Sequence, residues 1–211
     1  MSDFYVTKVY MTSHYIRYLV RYIEGQAQPV DKFGHQPRLA ALTEAIGAGH
    51  EFDGEVVAGA AWLHDLGVFV GHRPEDPDQL AHWDHVAYAC SKAPEVLRQA
   101  GFPEEKIPAV LRAIREHQPG DEPSTMEATI LRDADILEQL GAIGILRTVS
   151  KVGRDTRFPR FTDAVAVLRR NLDELPSKIR LDNTRRLAEP RIAILREFLV
   201  AVDGEAGSCL F

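Results

Sequence analysis

Four side chains of types that bind metals are distributed over three distant segments of the chain. They are His35, the adjacent His64 and Asp65 in AAWLHDLG, and Asp135 in LRDADILEQLGAIG. A hard or borderline divalent cation needs several nitrogen and oxygen donors that converge on one point. Separate helices of a helical chain can bring these donors together, so the pattern predicts a shared metal site.

Two neighbouring residues, His64 and Asp65, can bind one ion only under a geometric condition. Neighbouring helix positions diverge by about 100°, so both side chains reach one ion only if it lies beside the helix, between their directions. An imidazole nitrogen with a carboxylate oxygen suits manganese, iron, zinc, nickel or magnesium rather than a soft metal. A solvent-facing pair at a helix end is the alternative. Burying the carboxylate beside Trp62 and Leu63 without a cation or a donor costs several kcal/mol, which favours the ion.

Asp133 and Asp135 form a second polar intrusion into an apolar helix. They lie between Leu131 and Ile136, so the cost of burying an uncompensated carboxylate applies here too. Two independent intrusions of this kind favour one ion that both segments share.

Length and composition indicate one globular domain. At 211 residues the chain is long enough for a full core and too short for two ordinary domains without a visible linker. We predict a single domain over residues 1–211, with its core at about residues 15–200 and a tail that frays after Gly204. The 45% hydrophobic and 27% charged residues are typical of a globular protein. The net charge of -6 argues against a nucleic-acid partner.

The sequence contains no segment typical of export or membrane insertion. Its first ten residues, MSDFYVTKVY, lack an apolar signal core, and His64 and Asp65 interrupt the longest apolar stretch, at about residues 56–70. Cys90 and Cys209 are isolated, which argues against a disulfide framework and a thiolate metal site. We predict a cytoplasmic protein without a membrane partner. The sequence leaves open whether it forms a homo-oligomer.

Hydrophobic periodicity predicts helices nearly throughout the chain and no strand. The predicted helices cover residues 13–24, 34–46, 54–67, 82–100, 103–117, 125–150, 161–175 and 182–202. Residues 73–79 contain Pro74 and Pro77 among acidic side chains, which favours an exposed loop at the mouth of the site. The predicted fold class is therefore all-α.

Five motifs occur in an order that resembles the HD-domain family of metal-dependent phosphohydrolases, and within it the bacterial single-domain nucleotide hydrolases of the YpgQ and YedJ type. The motifs are HQPRL from His35, WLHDLG, HVAYA from His85, PEEKIPAVLRAIREH ending at His117, and DADILEQLGAIGILR from Asp133. The resemblance covers about residues 15–199 and implies a single-domain HD helical bundle. The metal ligands that it implies are His35, His64, Asp65 and Asp135. Asp135 is preferred to Asp133 because it matches the family's Ala-Asp pattern.

His85 and His117 have two interpretations within this family. In members with two metals, histidines at these positions complete the second site, whereas in one-metal members they hydrogen-bond the substrate phosphate. Many relatives carry a second histidine where this chain has Gln118, and this loss argues against two metals. We therefore predict one divalent ion per chain and phosphate contact for both histidines, with helix-end surface positions as the alternative. The histidines interpreted as solvated are His14, His50, His72 and His82.

Phosphate chemistry also requires positive charge near the metal. Arg38 lies three positions after His35, so it shares a helix face with that ligand, and the HxxR spacing recurs in the family. Lys92 lies seven positions after His85, and Arg147 follows the GAIGIL segment. We assign these three basic residues to substrate binding together with the two histidines. A solubilising surface role is the general alternative for lysine and arginine.

The ligand set and the resemblance together predict a metal-dependent phosphohydrolase. Three or four protein ligands leave open positions on the ion, where a bound water becomes a hydroxide nucleophile near neutral pH. The predicted catalytic residues are Asp65, Arg38, His85 and His117. The arginine and the histidines would stabilise the phosphoryl charge. The general base stays unassigned among Asp65, Glu116 and Glu138.

The predicted substrate is a small phosphorylated molecule, for which the resemblance favours a nucleotide. The predicted cofactor is one divalent ion (Mn, Mg, Fe, Ni or Zn). Two other classes stay open. One is a metal-containing nucleotide sensor that binds without turnover, and the other is an HD-fold oxygenase with a di-iron centre. The oxygenase needs a second metal, which Gln118 argues against.

Overall fold

Ten α-helices and three short 3₁₀ turns form the described part of the chain. The structure is a computed structural model that describes residues 13–155, 157–207 and 209–210. The helices are α1 (His14–Gln26), α2 (His35–Gly47), α3 (Gly54–Leu63), α4 (Pro77–Ala81), α5 (His85–Gln99), α6 (Ile107–Arg115), α7 (Met126–Glu138), α8 (Gly141–Val149), α9 (Phe161–Lys178) and α10 (Asp182–Ala206). The 3₁₀ turns cover Val30–Gly34, Leu66–Val68 and Glu104–Lys106. Among the described residues, the one extended pairing is an isolated bridge between Val70 and Arg73, so the all-α prediction is confirmed.

The chain divides into two compact units within α7. The first unit ends at Arg132 and the second begins at Asp133. The single domain over residues 1–211 stays a prediction, and its first twelve residues lie outside the described part of the chain. No helix of that described part combines the length and the apolar character that a membrane crossing requires.

The central helix of the first unit is α3, which packs against α1, α2 and α6. Its sequence, GEVVAGAAWL, is apolar after the first turn, and every residue from Val56 to Leu63 is buried. Asp53 caps its start, because the carboxylate accepts hydrogen bonds from the main-chain N–H groups of Glu55 at 3.0 Å and Val56 at 3.3 Å. The apolar helix therefore carries the residues that follow Leu63 into the core.

The second unit packs α8, α9 and α10 against one another. The predicted single helix over residues 125–150 is wrong, because the chain turns between α7 and α8 at Gly141, which has a φ of 68°. A side chain on Gly144 would also place its Cβ 2.3 Å from the main-chain oxygen of Gln139. The two glycines of the GAIG segment therefore have structural reasons to be glycine.

Three further boundaries differ from the predictions. The loop predicted over residues 73–79 contains the start of α4, where the Asp76 carboxylate accepts a hydrogen bond from the Gln79 N–H at 2.9 Å. The helix predicted to reach Gly67 ends at Leu63. At the other end of the chain, α10 continues to Ala206, beyond the point at which the sequence predicts fraying.

Candidate metal site

Three of the four predicted ligands meet in the first unit. His35 is the first residue of α2, His64 is the C-cap residue directly after α3, and Asp65 follows it. The His35 Nε2 lies 3.2 Å from the His64 Nε2, and the Asp65 Oδ2 lies 3.5 Å from the first of these nitrogens and 3.6 Å from the second. Because α3 has already ended, the backbone can turn both neighbouring side chains towards one point.

The spacing of these three atoms fits a metal ion. A point equidistant from atoms separated by 3.2, 3.5 and 3.6 Å lies about 2.0 Å from each. Zinc–nitrogen and zinc–carboxylate bonds are about 2.0–2.2 Å long. Nitrogen and oxygen donors in this mixture suit a borderline or hard divalent cation. His35, His64 and Asp65 can therefore hold such an ion together.

Hydrogen bonds to helix carbonyls orient two of the imidazole rings. The His64 Nδ1 lies 3.0 Å from the Ala61 carbonyl oxygen, and the His117 Nδ1 lies 2.6 Å from the Ile114 carbonyl oxygen. A carbonyl oxygen only accepts, so the N–H of each ring is on Nδ1 and the lone pair is on Nε2. Histidines that bind metals are commonly held this way, through the nitrogen that does not touch the ion.

The setting keeps Asp65 ionised. Its burial alone favours the neutral acid, but the coulombic attraction of the surrounding imidazoles in their protonated form outweighs that effect, and the net pKa of Asp65 is lowered. His64 and His35 contribute most to this lowering, followed by His85 and His117. An ionised carboxylate is the form that binds a metal cation.

His85 and His117 also lie beside this cluster. The Asp65 Oδ1 is 4.0 Å from the His85 Nε2, so the two carboxylate oxygens face different histidines. The His117 ring centre lies 4.9 Å from that of His64, and His117 is 2% exposed, which excludes the surface interpretation for it. Ligand atoms of His64, Asp65 and His117 lie within 4.8 Å of one another and form a second set that could hold an ion.

Gly67 allows His85 to approach Asp65. A Cβ on Gly67 would lie 2.6 Å from the main-chain oxygen of His85 and 2.8 Å from its Cα. The Trp83 indole N–H donates to the Gly67 carbonyl oxygen at 2.8 Å. This hydrogen bond also stabilises the contact between Gly67 and the start of α5. The glycine of the WLHDLG motif is therefore needed for close packing of the 3₁₀ turn on the start of α5.

Replacing Gly67 by alanine is expected to destabilise the protein by about 1–3 kcal/mol, because the added methyl group overlaps main-chain atoms that cannot move alone. The free energy of unfolding in urea measures this effect. Gly25→Ala is the matched control, since nothing lies within 4 Å of a Cβ at that exposed position of α1. A Gly67→Ala protein as stable as this control would contradict the packing argument.

The three basic residues predicted to bind substrate have different surroundings. The Arg38 guanidinium folds back over Gly34, where a Cβ would lie 2.9 Å from its terminal nitrogen. Arg147 lies 3.5 Å from the Glu138 carboxylate and donates to the Glu138 carbonyl oxygen at 3.2 Å. Lys92 is exposed. Substrate contact by these three side chains stays a prediction.

The two aspartates of the DADILE motif differ in their partners. The buried Asp133 carboxylate accepts hydrogen bonds from the main-chain N–H groups of Arg180 and Leu181, at 3.2 and 2.9 Å. This contact holds the main chain directly before α10. Asp135 is half-buried, and its Oδ2 accepts a hydrogen bond from the Gln139 side chain at 3.0 Å. Its metal-ligand role stays a prediction.

The glutamates considered as proton acceptors also have partners within their own units. Both carboxylate oxygens of Glu116 accept hydrogen bonds from the Ser124 hydroxyl, at 2.9 and 2.8 Å. Glu138 is buried and lies beside Arg147. These contacts give both carboxylates structural roles, and the assignment of the general base stays open.

His72, interpreted from sequence as solvated, is instead bonded on both ring nitrogens. Its Nδ1 lies 2.9 Å from the Tyr88 hydroxyl and its Nε2 lies 2.7 Å from the Gln26 side-chain oxygen. Burial and the nearby charge of Lys92 lower the pKa of His72. Sequence spacing gave no signal for this contact, because its three members are distant in the chain.

The comparisons with known proteins agree with this fold. The HD domain family model matches residues 33–140, which is more than half of the 211 residues, and the chain belongs to the HD domain family. No curated protein was found that matches the chain.

Several solved structures share the fold. A predicted HD superfamily hydrolase from an uncultured Thermotogales bacterium is 22% identical with a TM-score of 0.64, and the match covers 94% of this chain and 97% of that one. Bacillus subtilis YpgQ in complex with ADP is 22% identical with a TM-score of 0.71, and the match covers 92% of this chain and 96% of that one. An HD-superfamily hydrolase from Bacillus thuringiensis is 20% identical with a TM-score of 0.66, over 90% of this chain and 95% of that one.

Proposed function

We propose that this protein is a metal-dependent phosphohydrolase that acts on a small phosphate ester or anhydride, with a nucleotide as the favoured substrate. The observation that carries the proposal is the triangle formed by His35, His64 and Asp65, whose size matches one divalent ion. The ADP complex of the similar Bacillus subtilis YpgQ supports a nucleotide as the class of ligand.

The proposed ligands are His35, His64 and Asp65, with Asp135 as the fourth. Asp135 lies one helical turn after Leu131, which is buried, so the two residues share a face of α7. A bound divalent cation supplies Lewis acidity and lowers the pKa of a coordinated water. The proposal is one ion per chain, with manganese, magnesium, iron, nickel or zinc as the choices.

The remaining site residues are proposed to act on the substrate. His85 lies beside the Asp65 oxygen that does not face His35, and His117 lies beside His64. Both imidazoles are proposed to hydrogen-bond the phosphate groups of the substrate. Arg38 supplies a planar cation that binds phosphate oxygens in pairs. Lys92 and Arg147 are assigned to the outer part of the substrate. Asp65 is proposed to accept the proton of the attacking water in addition to binding the metal.

A panel of phosphorylated metabolites tests this function. Mono-, di- and triphosphates of nucleosides and several sugar phosphates are incubated with the full chain and each of the five metals, and released phosphate and pyrophosphate are measured. We expect turnover of at least one class that requires added metal and is lost in Asp65→Ala. If no compound of the panel is hydrolysed but calorimetry shows tight binding of metal and nucleotide, the protein is instead a nucleotide sensor that binds without turnover.

The second ligand set, His64 with Asp65 and His117, favours one other candidate. Because the single Nε2 lone pair of His64 binds only one ion, a second ion could share Asp65 but not His64; with His117 as a further ligand, it would create the two-metal centre that a di-iron oxygenase needs. Metal analysis of the purified protein separates the two functions. One ion per chain supports the proposed phosphohydrolase with phosphate contact by His117, whereas two irons per chain together with oxygen consumption would support the oxygenase.

A further inference from the structure

A buried arginine, Arg132 on α7, holds the segment that follows His117. Its Nε donates to the Gln118 carbonyl oxygen at 3.2 Å, and its terminal nitrogen donates to the Pro119 carbonyl oxygen at 2.8 Å. Arg132 is only 3% exposed. A guanidinium in this setting gives up most of its hydration, so its contacts must compensate for a large desolvation cost.

His117 depends on this segment because it lies beyond the end of a helix. The helix α6 ends at Arg115, and His117 is the second residue after it. Its Nδ1 bonds to the Ile114 carbonyl oxygen, but its main chain no longer belongs to the regular hydrogen-bond pattern of α6. The direction of its Nε2 is therefore set by the conformation of residues 116–124, which we call the His117 segment.

Further contacts close the His117 segment on itself. The Gln118 N–H donates to the Asp121 carboxylate at 2.9 Å, and the Asp121 N–H donates to the Gln118 carbonyl oxygen at 2.9 Å. At the two ends, the Ser124 N–H donates to the Glu116 carboxylate at 2.7 Å. Arg132 adds the contacts that reach from α7 to this turn, directly beside His117.

We propose that Arg132 is a positioning residue that fixes the Nε2 of His117 towards His64 and Asp65. The planar guanidinium donates from two of its nitrogens to two successive carbonyl oxygens, which an ammonium group on a flexible stem cannot reproduce. In this role Arg132 acts through the main chain of Gln118 and Pro119. This inference rests on the proposed function only in giving His117 a role in the site.

The test replaces Arg132 by lysine in the full chain. Long-range ¹H–¹⁵N spectra of the histidine rings report the tautomer and the environment of each imidazole. We expect the His117 signals to shift or broaden while those of His35 and His64 stay in place. With a substrate from the panel, we expect kcat/KM to fall about 10–100-fold, as is usual when a supporting contact of an active-site histidine is lost.

Two further variants keep the test decisive. Arg98→Lys is the matched control, because Arg98 is exposed and bonds the Glu104 carboxylate on the surface. Asp121→Ala loosens the same segment from its solvent side and replaces the lysine variant if that one does not fold. We expect it to move the His117 signals in the same way.

The readouts separate the possible failures. Unchanged His117 signals in a folded Arg132→Lys protein would overturn the positioning role, even if its melting temperature fell. Unchanged signals in Asp121→Ala would contradict the premise that the His117 segment sets the direction of the ring. Shifted His117 signals in a protein that hydrolyses no phosphate compound would keep the positioning role and overturn the proposed function instead.

Discussion

The Asp65→Ala protein is expected to lose metal binding and all metal-dependent phosphate release. The substitution removes one corner of the triangle and its only negative charge, so two imidazoles remain with Nε2 atoms 3.2 Å apart. Loss of a residue that merely supports a metal ligand costs about 10–100-fold in affinity, and loss of a charged ligand should cost more than about 100-fold. Calorimetric titration with Mn²⁺ measures the affinity, and phosphate release measures the activity.

The control for this variant is Asp78→Ala, which removes the same charge from an exposed position in α4. It should bind Mn²⁺ as the native protein does. Without added metal, the Asp65→Ala and Asp78→Ala proteins should both retain the helical circular dichroism of the native chain. The reason is that α3 ends before Asp65 and keeps its core contacts. Native affinity for Mn²⁺ in the Asp65→Ala protein would contradict the assignment of the site to His35, His64 and Asp65.

The convergence of His35, His64 and Asp65 could be predicted because each residue follows a clear local pattern. The apolar run of α3 predicts a buried helix, and a histidine at its end must then lie in the core. The geometry at Asp65 could not be predicted in the same way. The helix ends at Leu63 without a glycine or proline at the next two positions. The close contact of Gly67 with His85, a long-range packing effect, accompanies this end of the helix.

Other features could not be predicted from the sequence, because they depend on the backbone conformation or on contacts between distant residues. Apolar residues continue at helical spacing on both sides of Gly141, so the periodicity predicts one helix where the positive φ of this glycine separates two. Arg132 stands directly before the DADILE motif and His72 lies in no motif, but neither position indicates its partners, which lie elsewhere in the chain. A pattern in one sequence reveals which face of a helix is buried. It does not reveal which polar side chain on another element will meet that face.

The DADILE motif allows the fourth ligand to be tested with two variants of equal size. Asp135→Asn is expected to weaken Mn²⁺ binding by about 100-fold or more, because it removes a charged ligand while its amide oxygen can still accept from Gln139. Asp133→Asn is expected to lower the free energy of unfolding by about 1–3 kcal/mol. Its new amide N–H₂ group would face the main-chain N–H groups of Arg180 and Leu181, which now donate to the carboxylate.

The two variants should therefore separate metal affinity from stability. Calorimetry with Mn²⁺ and urea unfolding of the metal-free proteins give both quantities for each variant. Asp133→Asn should bind the metal as the native protein does, and Asp135→Asn should be as stable as the native protein without metal. The opposite pattern would make Asp133 the ligand, and it would require the carboxylate to leave the main chain before α10 in order to reach the ion. Unchanged affinity in both proteins would exclude Asp133 and Asp135 as ligands and leave Asp65 as the one carboxylate of the proposed set.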